Sequence, residues 1–186
     1  MIRDARREDA EQMTELFKII LMDMELPIME KVTWKKLKPA LVEAAGNDRY
    51  RHSFKNAIVK EIDGKVVGLC YGYKGGDGDD VYEPLETMLK EYHLPLFEPY
   101  TDSETFKGEW YLDTLVTSPE YRGQGIGKDL MDGAYNKARS VGMSVIGLNV
   151  DHDNPRARKL YERQGFKKTG EVVLADHRYD HMQKQI

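Results

Sequence analysis

The sequence predicts an α+β fold: a mixed sheet flanked by helices in one domain over residues 1–186, with an inserted excursion at about 74–108. Three observations predict it. Segments with period-two or continuous apolar character alternate irregularly with segments of helical spacing. Their order is β-α-α-β-β, the excursion, then β-α-β-α-β-β, which lacks the strict alternation of a doubly wound fold. A length of 186 residues with 40% hydrophobic content suits one sizeable core and argues against disorder.

Ile2 to Ala5 can form a first strand. Met13, Leu16, Phe17, Ile20 and Met24 follow at helical spacing, and Pro27 closes that helix. Thr33 can cap a second helix carrying Trp34, Leu37, Leu41 and Ala45 on one face. Ala57–Ile62 and Lys65–Tyr73 read as strands joined by Asp63-Gly64, a hairpin signal because glycine accepts the positive φ of a tight turn. Within the excursion Leu85, Met88, Leu89 and Tyr92 have helical spacing until Pro95, and Leu96, Phe97, Tyr100 and Phe106 add apolar weight. Trp110 to Thr117 is the next strand, ended by Ser118-Pro119. A helix from about Gly125 carries Ile126, Leu130, Ala134, Ala138 and Val141 on one stripe and stops at Gly142. Ser144 to Val150 is apolar enough for a central strand. Asn154 then caps a last helix with Pro155 at its first position, with Ala157, Leu160 and Tyr161 facing inward and Gly165 at its end. Phe166–Leu174 and Arg178–Met182 close the sheet.

Composition excludes several classes. A formal charge of −4 argues against a general nucleic-acid binder, which needs a basic face to replace phosphate counterions. No stretch approaches the roughly 20 apolar residues of a membrane span, and the N-terminus has no apolar signal core, so a cytoplasmic protein is expected. The single cysteine, Cys70, sits in an apolar run and reads as a small core residue.

Arg122-Gly123-Gln124-Gly125-Ile126-Gly127-Lys128 lies between a strand and a helix. The first helical turn leaves backbone N–H groups without partners, and its dipole favours an anion. Glycines let a pyrophosphate approach the backbone, and Arg122 and Lys128 add positive charge. A Walker loop fails because Asp129 follows Lys128, and a dinucleotide loop fails because Lys128 stands where its last glycine belongs.

With Leu115-Val116 before Ser118-Pro119, and then Tyr121-Arg122-Gly123-Gln124-Gly125-Ile126-Gly127, the chain resembles the GCN5-related N-acetyltransferases, whose coenzyme A motif reads R/Q-x-x-G-x-G/A. Asn154 through Phe166 resembles the second motif of that family. The resemblance is specific over Trp110 to Phe166 and implies that family's acyl-CoA N-acyltransferase fold, with a mostly antiparallel sheet. It further implies that Leu115 and Val116 offer main-chain groups to the pantetheine arm, residues 122 to 128 hold the pyrophosphate, Asn154 contacts the arm, and Tyr161 sits near the thiol. The implied reaction moves an acetyl group from acetyl-CoA to a primary amine by direct attack, with no metal.

Such a reaction needs a neutral amine, and deprotonating an alkyl ammonium of pKa ~10.4 at neutral pH costs about 4–5 kcal/mol. A base or a water chain must take that proton. Glu109 and Asp113 are the candidates, because on a regular strand Glu109, Tyr111, Asp113 and Leu115 share a face. In histone-type relatives the base glutamate begins this strand, and by spacing to Arg122 that place is Glu109. In some N-terminal acetyltransferases the base matches Asn149, which cannot serve. The plainer alternatives are an exposed strand-end charge for Glu109 and a buried polar group bonded to backbone for Asp113. Tyr161 is the candidate acid for the leaving thiolate, with core packing beside Leu160 as its alternative.

The acceptor is not written in the sequence. Asp77-Gly78-Asp79-Asp80 with Glu83 and Glu86 could draw a cationic acceptor or serve only solubility. Asp151-His152-Asp153 is read as a polar loop, not a metal site, and His177 and His181 are four apart on an expected strand, where that spacing does not gather ligands. The apolar excursion is compatible with a homodimer. A non-catalytic coenzyme A-binding module is the rival from another class, and a nucleotide-binding protein is third.

Overall fold

A computed structural model describes residues 1–76, 82–97, 104–174 and 177–186. Among them, seven strands and six helices run in chain order as β1 Ile2–Asp4, α1 Ala10–Asp23, α2 Pro27–Lys31, α3 Trp34–Ala45, β2 Ala57–Ile62, β3 Lys65–Lys74, α4 Glu83–Glu91, β4 Trp110–Thr117, α5 Ile126–Ser140, β5 Val145–Asp151, α6 Pro155–Arg163, β6 Lys167–Leu174 and β7 His177–Gln185. The strands form one sheet in the order β1-β2-β3-β4-β5-β7-β6. The β1/β2, β2/β3, β5/β7 and β6/β7 pairs are antiparallel, and β4/β5 is parallel. The α+β expectation therefore holds. None of these helices is long and apolar enough to cross a membrane.

The chain forms two compact units. The first contains, of the described residues, 1–71, 82–97 and 114–134. Its strands are covered on both faces. Ala57, Val59, Leu69 and Tyr71 join a core with Met13, Leu16 and Phe17 of α1, Leu37 and Leu41 of α3, and Leu85 and Leu89 of α4. On the alternate face Gly68 lies against Ile126 and Leu130 of α5, and Gly133 lies against Ile2 and Ile58. Cys70 is fully buried, as its apolar run predicts.

The second unit contains 72–76, 104–113, 135–174 and 177–186. Here β5 lies between β4 and β7, and Asn149 stands opposite His181 and Gly147 opposite Gln183. The parallel ladder to β4 comprises Trp110↔Ile146 and Tyr111↔Gly147. Trp110, Leu112, Ile146, Leu148, Phe166 and Met182 are buried.

Four sequence expectations change. α1 ends at Asp23, so Met24 is exposed, and Pro27 opens a short α2 rather than only closing α1. Thr33 occupies the N-cap of α3 but its side chain makes no capping hydrogen bond. Val141 lies past the end of α5 and is exposed. α6 buries none of its residues: Ala157 and Tyr161 are half-buried and Leu160 is exposed, because polar anchors rather than an apolar stripe fix this helix. Asp77, Gly78, Asp79, Asp80 and Tyr100 lie outside the described residues. Glu83, in α4, is engaged by Arg49.

Candidate active site

In the first unit, β4 ends at Thr117, and a 3-10 turn over Pro119–Tyr121 leads to the glycine loop. Gly123 and Gly125 adopt positive φ of 77° and 79°, a conformation that costs any residue with a Cβ. Gly127 lies inside the first turn of α5 and does not share that conformation. Among the described residues, nothing beyond the adjoining backbone lies within 4 Å of where a Cβ at 123, 125 or 127 would stand. Arg122, Gly123, Gln124 and Gly125 are exposed, while Ile126 is buried and pins the loop to the core. The loop therefore presents bare backbone at a helix N-terminus, which suits a phosphate. Lys128 is paired with Asp132 at 2.7 Å, which raises its pKa. Asp129 is paired with Lys60 at 2.6 Å, and that hydrogen bond holds its carboxyl below the usual range. The acidic residues of this turn are thus partnered by cations. Leu115 is half-buried and Val116 buried on β4.

In the second unit, Asn154 caps α6 as predicted, its Oδ1 accepting from the Ala157 N–H at 3.1 Å. Tyr161 is half-buried, with its ring edge-on to Phe166 at 5.7 Å between centroids. The helix that carries it is held by Asp180 of β7, which is 1% exposed. Asp180 accepts from Lys168 Nζ at 2.7 Å and from Arg158 Nη1, and lies 2.9 Å from His152 Nε2. Burial pushes the Asp180 carboxyl up, but the hydrogen bonds from Lys168 and His152 and the charge of Arg158 outweigh it and hold its pKa below the ordinary value.

The two candidate carboxylates differ sharply. Asp113 is half-buried and accepts from the Tyr73 hydroxyl at 2.8 Å. Glu109 is fully buried, which corrects the exposed strand-end alternative. Its Oε1 accepts from the Phe106 N–H at 2.8 Å. Its Oε2 accepts from Gln183 Nε2 at 2.7 Å and lies 2.8 Å from His181 Nε2. The carboxylate lies where a side chain at 147 would begin: a Cβ on Gly147 would stand 1.9 Å from Glu109 Oε2. His181 Nδ1 in turn faces Asn149 Oδ1 at 2.6 Å, and Asn149 Nδ2 donates to the Glu104 carbonyl at 2.9 Å and the Tyr111 hydroxyl at 3.0 Å. Tyr111 and Tyr73 lie with ring centroids 5.8 Å apart.

Sequence reasoning missed Gln183 and Asp180, and weighed His181 only as a metal ligand rather than as a partner of Glu109 and Asn149. The last two strands carry few apolar residues, and the one local signal is a glycine inside an otherwise apolar strand at 147, a mark of close approach. The structure also brings His177 to Asp151 and Asp153, with Nδ1 3.3 Å from Asp151 Oδ2, a grouping that spacing alone does not reveal.

Comparison with known proteins gives this arrangement its context. A solved acetyltransferase structure covers 100% of the chain and 99% of its own length at 39% identity and a TM-score of 0.89. An N-acetyltransferase from Staphylococcus aureus Mu50 covers 99% and 100% at 28% identity and a TM-score of 0.84. Among curated proteins, a peptidyl-lysine N-acetyltransferase of Salmonella typhimurium is 32% identical over 100 residues, 50% of this chain and 65% of that protein. A mycothiol acetyltransferase of Propionibacterium freudenreichii is 37% identical over 73 residues, 39% of this chain and 22% of that protein. The chain thus spans less than two thirds of the length of these curated relatives. The model of the acetyltransferase (GNAT) family matches residues 20–166, and the chain belongs to that family.

Proposed function

We propose that the chain transfers the acetyl group of acetyl-CoA to a primary amine by direct attack. The observation that carries the reading is the open glycine loop at the start of α5, where backbone is bare at 123, 125 and 127. In this reading the N–H groups of residues 122 to 128, with Arg122 and Lys128, hold the pyrophosphate. Main-chain groups of Leu115 and Val116 line the pantetheine arm. Asn154 commits its oxygen to the cap, so its amide nitrogen is the part that reaches the arm.

The amine nitrogen attacks the thioester carbon, N–C forms as C–S breaks, and one proton leaves the amine while another reaches the sulfur. N–H groups of β4 between Asp113 and Val116 hold the oxyanion. Tyr161 donates to the departing thiolate. Of the two candidate bases, Glu109 and Asp113, the half-burial of Asp113 against the full burial of Glu109 favours Asp113 as the proton acceptor. An acidic base beside two tyrosine rings suits a cationic acceptor. The names of relatives run the same way: one is a peptidyl-lysine N-acetyltransferase, and another, 39% identical over 67 residues that make up 36% of this chain and 39% of that protein, is a thialysine N-epsilon-acetyltransferase of Bos taurus.

The test is an amine panel with acetyl-CoA, reading out free thiol. Turnover is expected on primary amines, with Tyr161→Phe lowering kcat by roughly 10- to 100-fold at unchanged acetyl-CoA affinity. Binding of acetyl-CoA with no turnover on any amine would instead identify a coenzyme A-binding module.

A further inference from the structure

We propose that Glu109 and His181 are positioning residues for the acyl transfer: the pair fixes the Asn149 amide and, through it, the Tyr111 hydroxyl on the Asp113 face of β4, and it takes no proton from the acceptor. This rests on the acetyltransferase reading.

Every contact in the argument lies within the second unit. The Asn149 amide can adopt one orientation only. Its nitrogen faces the Glu104 carbonyl, which can only accept, so the other atom, facing His181, is the oxygen. His181 Nδ1 must then carry a hydrogen and donate it. The ring's other nitrogen meets Glu109 Oε2, and this contact shares one proton. That oxygen also accepts from Gln183, and its partner accepts from Phe106. Two donors and the shared proton therefore surround a carboxyl group with no exposed surface. The Phe106 ring lies over His181 at 4.2 Å between centroids and closes the pair from above.

A general base must reach the proton it abstracts directly or through one water. Glu109 has both oxygens already occupied by donors of its own unit. What leaves the pair is orientation. The Tyr111 hydroxyl accepts from Asn149, so its own proton turns away from Asn149. Two residues along the strand, on the same face, stands Asp113 with its Tyr73 partner. Residues that act in this way as one unit give effects that do not multiply.

The experiment compares Glu109→Gln, His181→Asn and the double variant with the unaltered protein. Each single change is expected to lower kcat by about 10-fold, with acetyl-CoA affinity unchanged by calorimetry. The double variant should fall within about 3-fold of the weaker single variant, since the second change removes nothing further. The pH dependence of kcat/KM should keep its shape in Glu109→Gln. A deficit in Glu109→Gln that fades as pH rises and free amine becomes abundant would make Glu109 the base and overturn the proposal. So would effects of the two single changes that multiply. A second readout does not need turnover: with tyrosine rings labelled at Cζ, the Tyr111 signal should move in both single variants while that of Tyr50, in the first unit, stays. A stationary Tyr111 signal in folded variants overturns the proposal even where the amine panel succeeds. An inactive protein with a moving Tyr111 signal overturns the acetyltransferase reading and upholds the pair.

Discussion

Helices α5 and α6 each follow a strand, yet different forces hold them. α5 buries Ile126, Leu130, Met131, Ala134 and Ala138 along one stripe. α6 buries nothing and is tied down by the Asp180 carboxylate through Arg158, with Lys168 and His152 on the same group. Apolar burial is insensitive to pH and to moderate salt. An ionic anchor is sensitive to both. The start of α5 is thus built on a fixed element, and Tyr161 is carried by an adjustable one.

The contrast can be broken in order of expected effect. Leu130→Ala should cost about 2–5 kcal/mol in urea unfolding, as a fully buried leucine whose neighbours collapse incompletely. A loss below about 1 kcal/mol would mean that the stripe does not anchor α5. Gly127→Glu comes next and separates binding from stability. It puts a carboxylate in the first helical turn, where negative charge favours the helix and no atom obstructs it. Melting should be unchanged or raised, while acetyl-CoA affinity falls about 100-fold, roughly 2.7 kcal/mol. Unchanged affinity by calorimetry would remove the loop from the site. Gly125→Glu should bind no better, but the left-handed backbone there adds strain to the comparison.

The smallest effect belongs to Asp180→Asn, which keeps the shape and removes the charge. It should cost about 1.5–3 kcal/mol, leaving α5 intact. The folded-state pKa of Asp180 is depressed, so its contribution is present above the unfolded value near 3.9 and is lost as pH falls through the lower folded value. Amide protection factors in α6, taken relative to intrinsic exchange rates, should therefore be high at neutral pH and fall below about pH 4, and Asp180→Asn should abolish that acid step. Protection lost equally in α5 and α6 would erase the distinction.

What the sequence reveals follows the same line. The glycine loop and the Asn154-Pro155 cap are legible because contiguous residues build them, and their backbone demands are written in residue type. The stripe of α5 is legible because burial sets its period, although Val141 overruns the true end at Ser140. On α6 the same reasoning fails. Ala157, Leu160 and Tyr161 imitate an inward face, but the partner that fixes the helix is a lone aspartate on β7. The polar layer is the least legible part. Glu109 and His181 are 72 residues apart, and Asn149 and His181 are 32 apart. Only the strand order and the register that sets Asn149 opposite His181 bring them together, and neither is a local property.

Gly147 constrains how this site can change over generations. Its missing side chain and the Glu109 carboxylate occupy one volume, so the two positions are not free to vary in either order. A methyl group at 147 introduced first would evict the carboxyl group from its partners Phe106, Gln183 and His181. Introduced after Glu109 has been shortened to alanine, the same methyl would refill a void. Gly147→Ala should therefore harm the native chain and help Glu109→Ala, a reversal of sign that makes one mutational path passable and its mirror image closed.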